Sequence, residues 1–176
     1  MSRKILIVDD DRNILLGYQR VLGRDHQLET CLGGAEALER LSGHGPYAVL
    51  VADMQMPGMN GLELLKEVER RHPEVIRIML TGNPDQQTAV DAVNEGHVFR
   101  FLTKPCTPMA MDLALRAGLR QHALEHAERE LLDHTLTGAL EVLTELLSSV
   151  DPVGFGPALV NRRRCGQVAR ALGSPD

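Results

Sequence analysis

The sequence predicts a doubly wound α/β fold, in which helices cover both faces of a five-stranded parallel sheet and a long helix follows the sheet. Short runs of β-branched and aliphatic residues alternate with amphipathic segments along the first part of the chain. The later runs are almost entirely apolar, as expected for strands that are buried on both faces. From Pro108 onward the pattern is helical, and no further strand is indicated.

Each element follows from composition or periodicity. Strands are predicted at Lys4–Val8, Gln27–Cys31, Ala48–Ala52, Ile76–Leu80 and Val98–Leu102. Apolar residues at helical spacing predict helices at Arg12–Leu22, Ala35–Leu41, Leu62–Arg71 and Asp85–Glu95. Glycines follow the ends of these segments, where a left-handed cap is often needed, at Gly23, Gly43, Gly45 and Gly96.

Residues 107–150 are predicted to form one extended helix that overlaps the end of the first domain, residues 1–120. Alternating steps of four and three, typical of a dimerising helix or coiled coil, connect Leu113, Ala117, Arg120, Leu124, Ala127 and Leu131. Leu136 to Val150 repeats the pattern, but joining the two blocks requires a stutter or a break near Thr137-Gly138. The alternative is a single helix that packs against its own domain.

Asp151-Pro152 is expected to end this helix. Residues 151–176 are then predicted to hold a loop at Val153–Pro157 and a short helix at Pro157–Leu172. We interpret this region as the start of a missing or truncated output region.

Composition excludes several classes of function. The chain has 19 Lys and Arg against 24 Asp and Glu, and residues from 107 onward carry 7 Arg, no Lys and 9 acids, so DNA binding is not expected. Three widely spaced cysteines predict neither a disulfide framework nor a zinc site, which fits the cytoplasm. The apolar run Ile5–Val8 is too short for a signal peptide or a membrane span.

Residue types that bind metals and phosphate follow the predicted strands. They are Asp9, Asp10 and Asp11 after the first strand, Asp53 at the third, Thr81 at the fourth and Lys104 after the fifth. The carboxyl ends of parallel strands meet at one edge, where open α/β sheets bind ligands. Two carboxylates about 4 Å apart repel each other by on the order of 4 kcal/mol at an effective dielectric of about 20, which a divalent cation relieves. Mg²⁺ suits an oxygen-only set better than a site of His or Cys would.

Four motifs resemble the receiver domain of bacterial two-component response regulators over residues 1–120. They are Ile5-Leu-Ile-Val-Asp-Asp10, Asp53-Met-Gln-Met-Pro-Gly-Met-Asn-Gly61, Leu80-Thr-Gly82 and Phe101-Leu-Thr-Lys-Pro105. The resemblance implies a flavodoxin-like sheet with strand order 2-1-3-4-5. It also implies that a sensor histidine kinase or a phosphotransfer protein supplies a phosphoryl group, and that the domain catalyses only its own phosphorylation and dephosphorylation.

The resemblance assigns roles by position. Asp53 would accept the phosphoryl group, Asp10 would bind Mg²⁺ directly, and Asp9 would act through water. Gln55 would give its backbone carbonyl to the metal, and Gln55 and Asn83 would adjust water access. Thr81 and Lys104 would bind phosphoryl oxygens, Phe101 would report the switch state, and Lys104-Pro105 would be a cis peptide.

The leading interpretation is a phosphorylation-dependent switch that controls a partner or output domain and forms a homodimer through the C-terminal helix. The alternative is the input half of an HD-type phosphohydrolase acting on a cyclic nucleotide, since Leu131–Ala171 resembles the linker before such a domain. Simpler roles are weighed for single residues: Asp11 as a helix cap, Phe101 as core, Cys106 as a packed thiol, His122 and His126 as a solvated helix face, and Arg162–Arg164 as an exposed one.

Overall fold

The fold is a parallel five-stranded sheet with the strand order β2-β1-β3-β4-β5. The computed structural model describes residues 3–43, 45–82 and 98–150, with side chains up to residue 146. The strands are β1 (Lys4–Asp9), β2 (Gln27–Leu32), β3 (Val49–Asp53), β4 (Ile76–Thr81) and β5 (Arg100–Thr103). The described helices, numbered here in chain order, are α1 (Arg12–Leu22), α2 (Gly33–Gly43), α3 (Gly61–Arg71) and α4 (Pro108–Val150).

The predicted fold class and strand order are therefore confirmed. The first four predicted strands match within about a residue at each end, but β5 starts at Arg100 instead of Val98. The predicted helix at residues 85–95, Gly96, and every element predicted after residue 150 lie outside the described residues.

The sheet separates two layers of core because strand side chains alternate between faces. On one face Leu6 and Val8 pack with residues of α2 and α3, including Ala37 and Leu65. On the other face Ile5 and Ile7 pack with α1 and the first turns of α4. The strand β5 departs from the expected full burial, since it lies at the sheet edge and all four of its residues are partly or fully exposed.

Local side chains fix where the helices begin. The Asp11 carboxylate caps α1 by accepting a hydrogen bond from the Asn13 backbone N–H at 2.7 Å. Asn60 and Glu63 form a reciprocal capping box at the start of α3. The predicted left-handed caps are only partly right: Gly45 has a φ of +87°, whereas Gly23 is right-handed, with a φ of −67°, and Gly43 lies inside α2.

Helix α4 continues through Gly138, so of the two predicted alternatives the break near Thr137-Gly138 does not occur, and a stutter in a continuous helix is left. One glycine in a helix interior costs only about 1 kcal/mol, and good helix formers surround it. The hydroxyls of Thr135 and Thr144 also find hydrogen-bond partners within the helix, since each donates to the backbone carbonyl four residues earlier.

The chain divides into two units, residues 1–127 and 128–176. Within the first unit α4 packs on the sheet through Met111, Ala114 and Leu115, and Gly118 lies against Val49. The predicted heptad seam is on a different face, since Leu113 is 59% exposed and Leu124 is 57% exposed. The helix therefore does pack on its own domain, but not through the seam. In the part of the chain that the structure describes, no helix has the length and apolar character of a membrane span.

Candidate functional site

The acidic residues converge at the carboxyl edge of the sheet, as predicted. Asp9 is the last residue of β1 and Asp53 is the last residue of β3, and these two strands are direct neighbours. Asp10 follows Asp9 at the start of the next loop. One carboxylate oxygen from each of these three residues lies within 4.8 Å of the other two.

The lysine ammonium pairs with two of these carboxylates at once. Lys104 Nζ lies 3.0 Å from Asp9 Oδ2 and 2.9 Å from Asp53 Oδ1. The backbone brings it there because the Lys104 N–H donates to the carbonyl of Thr81, which extends the pairing of β4 and β5 by one residue. The other Asp9 oxygen accepts a hydrogen bond from the Asp11 backbone N–H at 2.9 Å.

Burial separates the acids into two kinds. Asp9 is 1% exposed and Asp53 is 5% exposed, whereas Asp10 is exposed to solvent. Burial raises the pKa of Asp53 above its usual value, and repulsion from Asp9 and Asp10 adds to this although Lys104 opposes it. The Asp53 carboxylate is therefore held in a site that favours relief of negative charge.

The Lys104 pKa responds to two opposing causes. Burial alone would lower this pKa, but the hydrogen bonds to Asp53 and Asp9 outweigh burial and raise it. The ammonium is thus firmly charged at neutral pH.

The loop after β3 is shaped by close packing against the backbone of Asp53. Gly61 donates its N–H to the carbonyl of Met54, and a Cβ at Gly61 would lie 2.2 Å from the carbonyl oxygen of Asp53. Gly58, with a φ of +81°, provides the left-handed turn in this loop. Gly61 ends the motif that begins at Asp53, and the motif alone does not predict its steric role; a glycine directly after a helix-capping Asn is the signal that indicates it.

The donor set fits a hard divalent cation. It consists of carboxylate oxygens, and the group Asp9, Asp10 and Asp53 is the cluster of this kind found among the described residues. The predicted ligand Gln55 is exposed and lies two residues beyond Asp53. Asp11 is not part of this cluster; it caps α1, which agrees with the alternative role of a helix cap predicted for it.

The remaining predicted residues surround this cluster. Thr81 ends β4 and is 3% exposed. Phe101 on β5 is half-buried and packs against the core layer that contains Met79. The Lys104-Pro105 peptide is cis, as predicted. Asn83 lies outside the described residues.

Tyr18 on α1 belongs to the same neighbourhood. It is half-buried, and burial raises the pKa of its hydroxyl, with Cys106, Asp9 and Asp53 contributing in the same direction. Cys106 packs partly buried against the core layer of α1 and α4, in agreement with a packed thiol.

The prediction of a solvated His122–His126 face is wrong for His122. This side chain is 6% exposed because it lies on the face of α4 that packs on the domain. The two ring centroids are 6.3 Å apart, and no third metal ligand joins them among the described residues.

Comparison with known proteins identifies the family to which this fold and site correspond. The response regulator receiver domain family matches residues 5–116. Among curated proteins, the DNA-binding transcriptional regulator NtrC of Escherichia coli K12 is 37% identical over 132 residues, which is 74% of this chain and 27% of NtrC. The chain thus spans only about a third or less of the length of the first transcriptional regulators that it matches.

Two solved structures are similar over most of the chain. An adenylate cyclase structure from Rhodopirellula baltica has a TM-score of 0.73 at 42% identity and covers 76% of this chain and 98% of that one. The signal receiver domain of an HD domain-containing protein from Pseudomonas fluorescens Pf-5 has a TM-score of 0.64 at 32% identity, covering 74% and 95%. The sheet order, the acidic edge and the family match together show that this chain belongs to the response regulator receiver domain family of two-component systems.

Proposed function

We propose that Asp53 accepts a phosphoryl group and that this reaction switches the output of the protein. The observation that carries the proposal is the Lys104 ammonium, which lies within 3.0 Å of both Asp9 and Asp53 at the end of the sheet. Receiver domains accept phosphoryl groups from histidine kinases, so a kinase phosphohistidine or a small phosphodonor would supply the group.

The proposed reaction is an in-line displacement. An Asp53 carboxylate oxygen attacks the phosphorus of the donor, a P–O bond forms, and the P–N bond of the phosphohistidine breaks with its electrons passing to the imidazole. Lys104 and the Thr81 hydroxyl donate hydrogen bonds to the transferring oxygens. Positioning and charge compensation by these residues supply most of the catalysis.

We assign the metal site to Asp10, Asp9, Asp53 and the backbone carbonyl of Gln55, with Asp9 acting through water. When bound, Mg²⁺ neutralises the carboxylates and the transferring oxygens. Receiver domains bind Mg²⁺ through such an acidic pocket, and the exposure of Asp10 beside the buried Asp9 supports Asp10 as the direct ligand. Hydrolysis of the Asp53 phosphoryl group would use the same residues, with Gln55 and Asn83 adjusting the access of water.

We further propose that Thr81 and Phe101 transmit the switch and that α4 carries it as a homodimer. Large apolar side chains on the second part of α4 are 56–69% exposed: Leu131, Leu132, Leu136, Leu140, Val142, Leu143 and Leu146. At about 100° per residue they occupy roughly half of the helix circumference, while Asp133, His134, Glu141 and Glu145 occupy the other half. A second copy offers the same apolar half and would cover it.

This apolar half is wider than the seam of a two-stranded coiled coil, in which about two positions in seven are buried. It is typical of a helix that packs in a bundle. The dimer contact is therefore expected to include more than the seam from Leu113 to Leu131.

The second candidate function is the input half of an HD-type phosphohydrolase. The similarity to the receiver domain of an HD domain-containing protein supports it, as do the motifs around Leu131–Ala171. Under the leading proposal the chain performs only phosphoacceptor chemistry, acts in the cytoplasm and does not bind DNA. The coding sequence downstream of Asp176 distinguishes the two candidates.

The acceptor is tested by incubating the protein and its Asp53→Asn variant with acetyl phosphate and Mg²⁺ and measuring intact mass. A phosphoryl adduct on the wild type alone supports the proposal. An undiminished adduct on the variant contradicts it.

A further inference from the structure

A second site lies at the amino edge of the sheet, opposite the acidic cluster. Here the beginning of the chain, the turn between α1 and β2 and the middle of α4 enclose an open groove of about 710 Å³. Its lining includes Arg3, His26, Arg116, Arg120 and His122. The phosphoacceptor proposal uses none of these side chains.

The charge of the groove is opposite to that of the chain. Three arginines line it against one acid, Asp25, whereas the whole chain has a formal charge of −5. Asp112, which pairs with His26 at 2.7 Å and with Arg116 at 2.8 Å, adds the second nearby carboxylate. Arg3 and Arg120 form no ion pair with any other described residue, so their guanidinium groups are available to an anion.

The walls of the groove also include apolar side chains. Leu119 and Ala123 are half-buried and line it beside His122. Burial lowers the pKa of His122, helped by the neighbouring His126, so this imidazole is neutral at pH 7. The volume is within the range of about 300–1,000 Å³ that is usual for small-molecule sites.

We propose that this groove binds a nucleotide, with Arg3 and Arg120 on the phosphates and the base against Leu119, Ala123 and His122. Arg120, within the predicted seam of α4, pairs with no carboxylate among the described residues, and the ligand supplies its counter-ion. Because α4 contributes Arg116, Leu119, Arg120 and Ala123, the nucleotide contacts the helix that carries the proposed output.

The test uses the full chain in EDTA, where the acidic site has no metal with which to hold a phosphate. ADP carrying a fluorescent N-methylanthraniloyl group is titrated, with unlabelled ADP, inorganic pyrophosphate and adenosine as competitors. Saturable binding is expected, displaced better by ADP than by pyrophosphate and least by adenosine. Binding should weaken as ionic strength rises.

Arg3→Gln and Arg120→Gln should each weaken binding about tenfold, since each removes a charge-assisted hydrogen bond. Both side chains are exposed, so the fold should persist, which circular dichroism checks. Arg129→Gln, exposed on the same helix outside the groove, should leave binding unchanged. No saturable binding, or binding insensitive to both groove variants, overturns the site. Pyrophosphate competing as well as ADP overturns its assignment to nucleotides.

Discussion

Lys104 Nζ lies 2.9 Å from Oδ1 of Asp53, although the two residues are far apart in sequence. The contact depends on strand order, because β4 lies between β3 and β5 and its final residue, Thr81, accepts the Lys104 N–H. Removing this ammonium therefore changes the charge balance of the whole acidic site without removing any acid.

We predict that Lys104→Gln slows phosphorylation by acetyl phosphate roughly 100-fold, the usual cost of losing one preorganised donor to a developing charge. Mg²⁺ affinity should stay the same or rise, because the competing cation is gone. Intact mass against time measures the first effect and titration calorimetry the second. Lys66→Gln, exposed on α3, is the control and should behave as wild type. Unchanged phosphorylation in Lys104→Gln would contradict the role of the ammonium.

The metal assignment predicts different effects for neighbouring acids. Asp10→Asn should weaken Mg²⁺ binding more than Asp11→Asn, because the Asp11 carboxylate is already engaged in capping α1. Asp11→Asn preserves a residue type that caps helices well, so stability should change little. Calorimetric titration of both variants decides between them, and equal losses of affinity count against the assignment.

The raised pKa of Asp53 predicts a pH-dependent gain of stability in Asp53→Asn without metal. The folded state holds the proton more tightly than the unfolded state, so the wild-type group is most favourable below its unfolded pKa of about 3.9. Its contribution to stability is lost as the pH rises through the raised folded value. Asp53→Asn should therefore melt above the wild type at neutral pH, with the difference shrinking in acid. A difference that is constant with pH would exclude this explanation.

The close approach of Gly61 to the Asp53 carbonyl predicts that Gly61→Ala destabilises the fold by roughly 1–3 kcal/mol, as overpacking does. Gly17→Ala in α1 is the matched control, since a Cβ there has open space within 4 Å. It should stabilise by about 0.5–1 kcal/mol through helix propensity. Urea unfolding measures both, and similar effects from the two substitutions would refute the steric argument.

The sequence predicts most of the site because the ends of parallel strands meet at one edge, which places Asp9, Asp53 and Thr81 together. It does not predict that Lys104 contacts two acids, or that Asp9 is buried while Asp10 is exposed, because both depend on side-chain packing. Of the two alternatives predicted near Gly138, a stutter or a break, the break does not occur because the propensity cost of one glycine is small. The burial of His122 was missed because the helical pattern alone does not show which face meets the sheet.

The apolar half of α4 predicts self-association of residues 1–176, and a chain ended near Leu119 is expected to be monomeric. Each Leu that becomes fully buried contributes roughly 1.5–3 kcal/mol, so several together offset the entropy lost on association. Arg120 within the seam weakens the pairing, because a buried unpaired charge is costly. Replacing Leu136 and Leu140 by Asn should abolish the dimer, while replacing Thr137 and Glu141 by Gln, on the polar half, should not. Sedimentation of the full chain at micromolar concentrations, with and without beryllofluoride, measures this. A monomer under both conditions would show that the apolar half does not serve self-association, and it would leave Asp53 phosphorylation to act through a different partner.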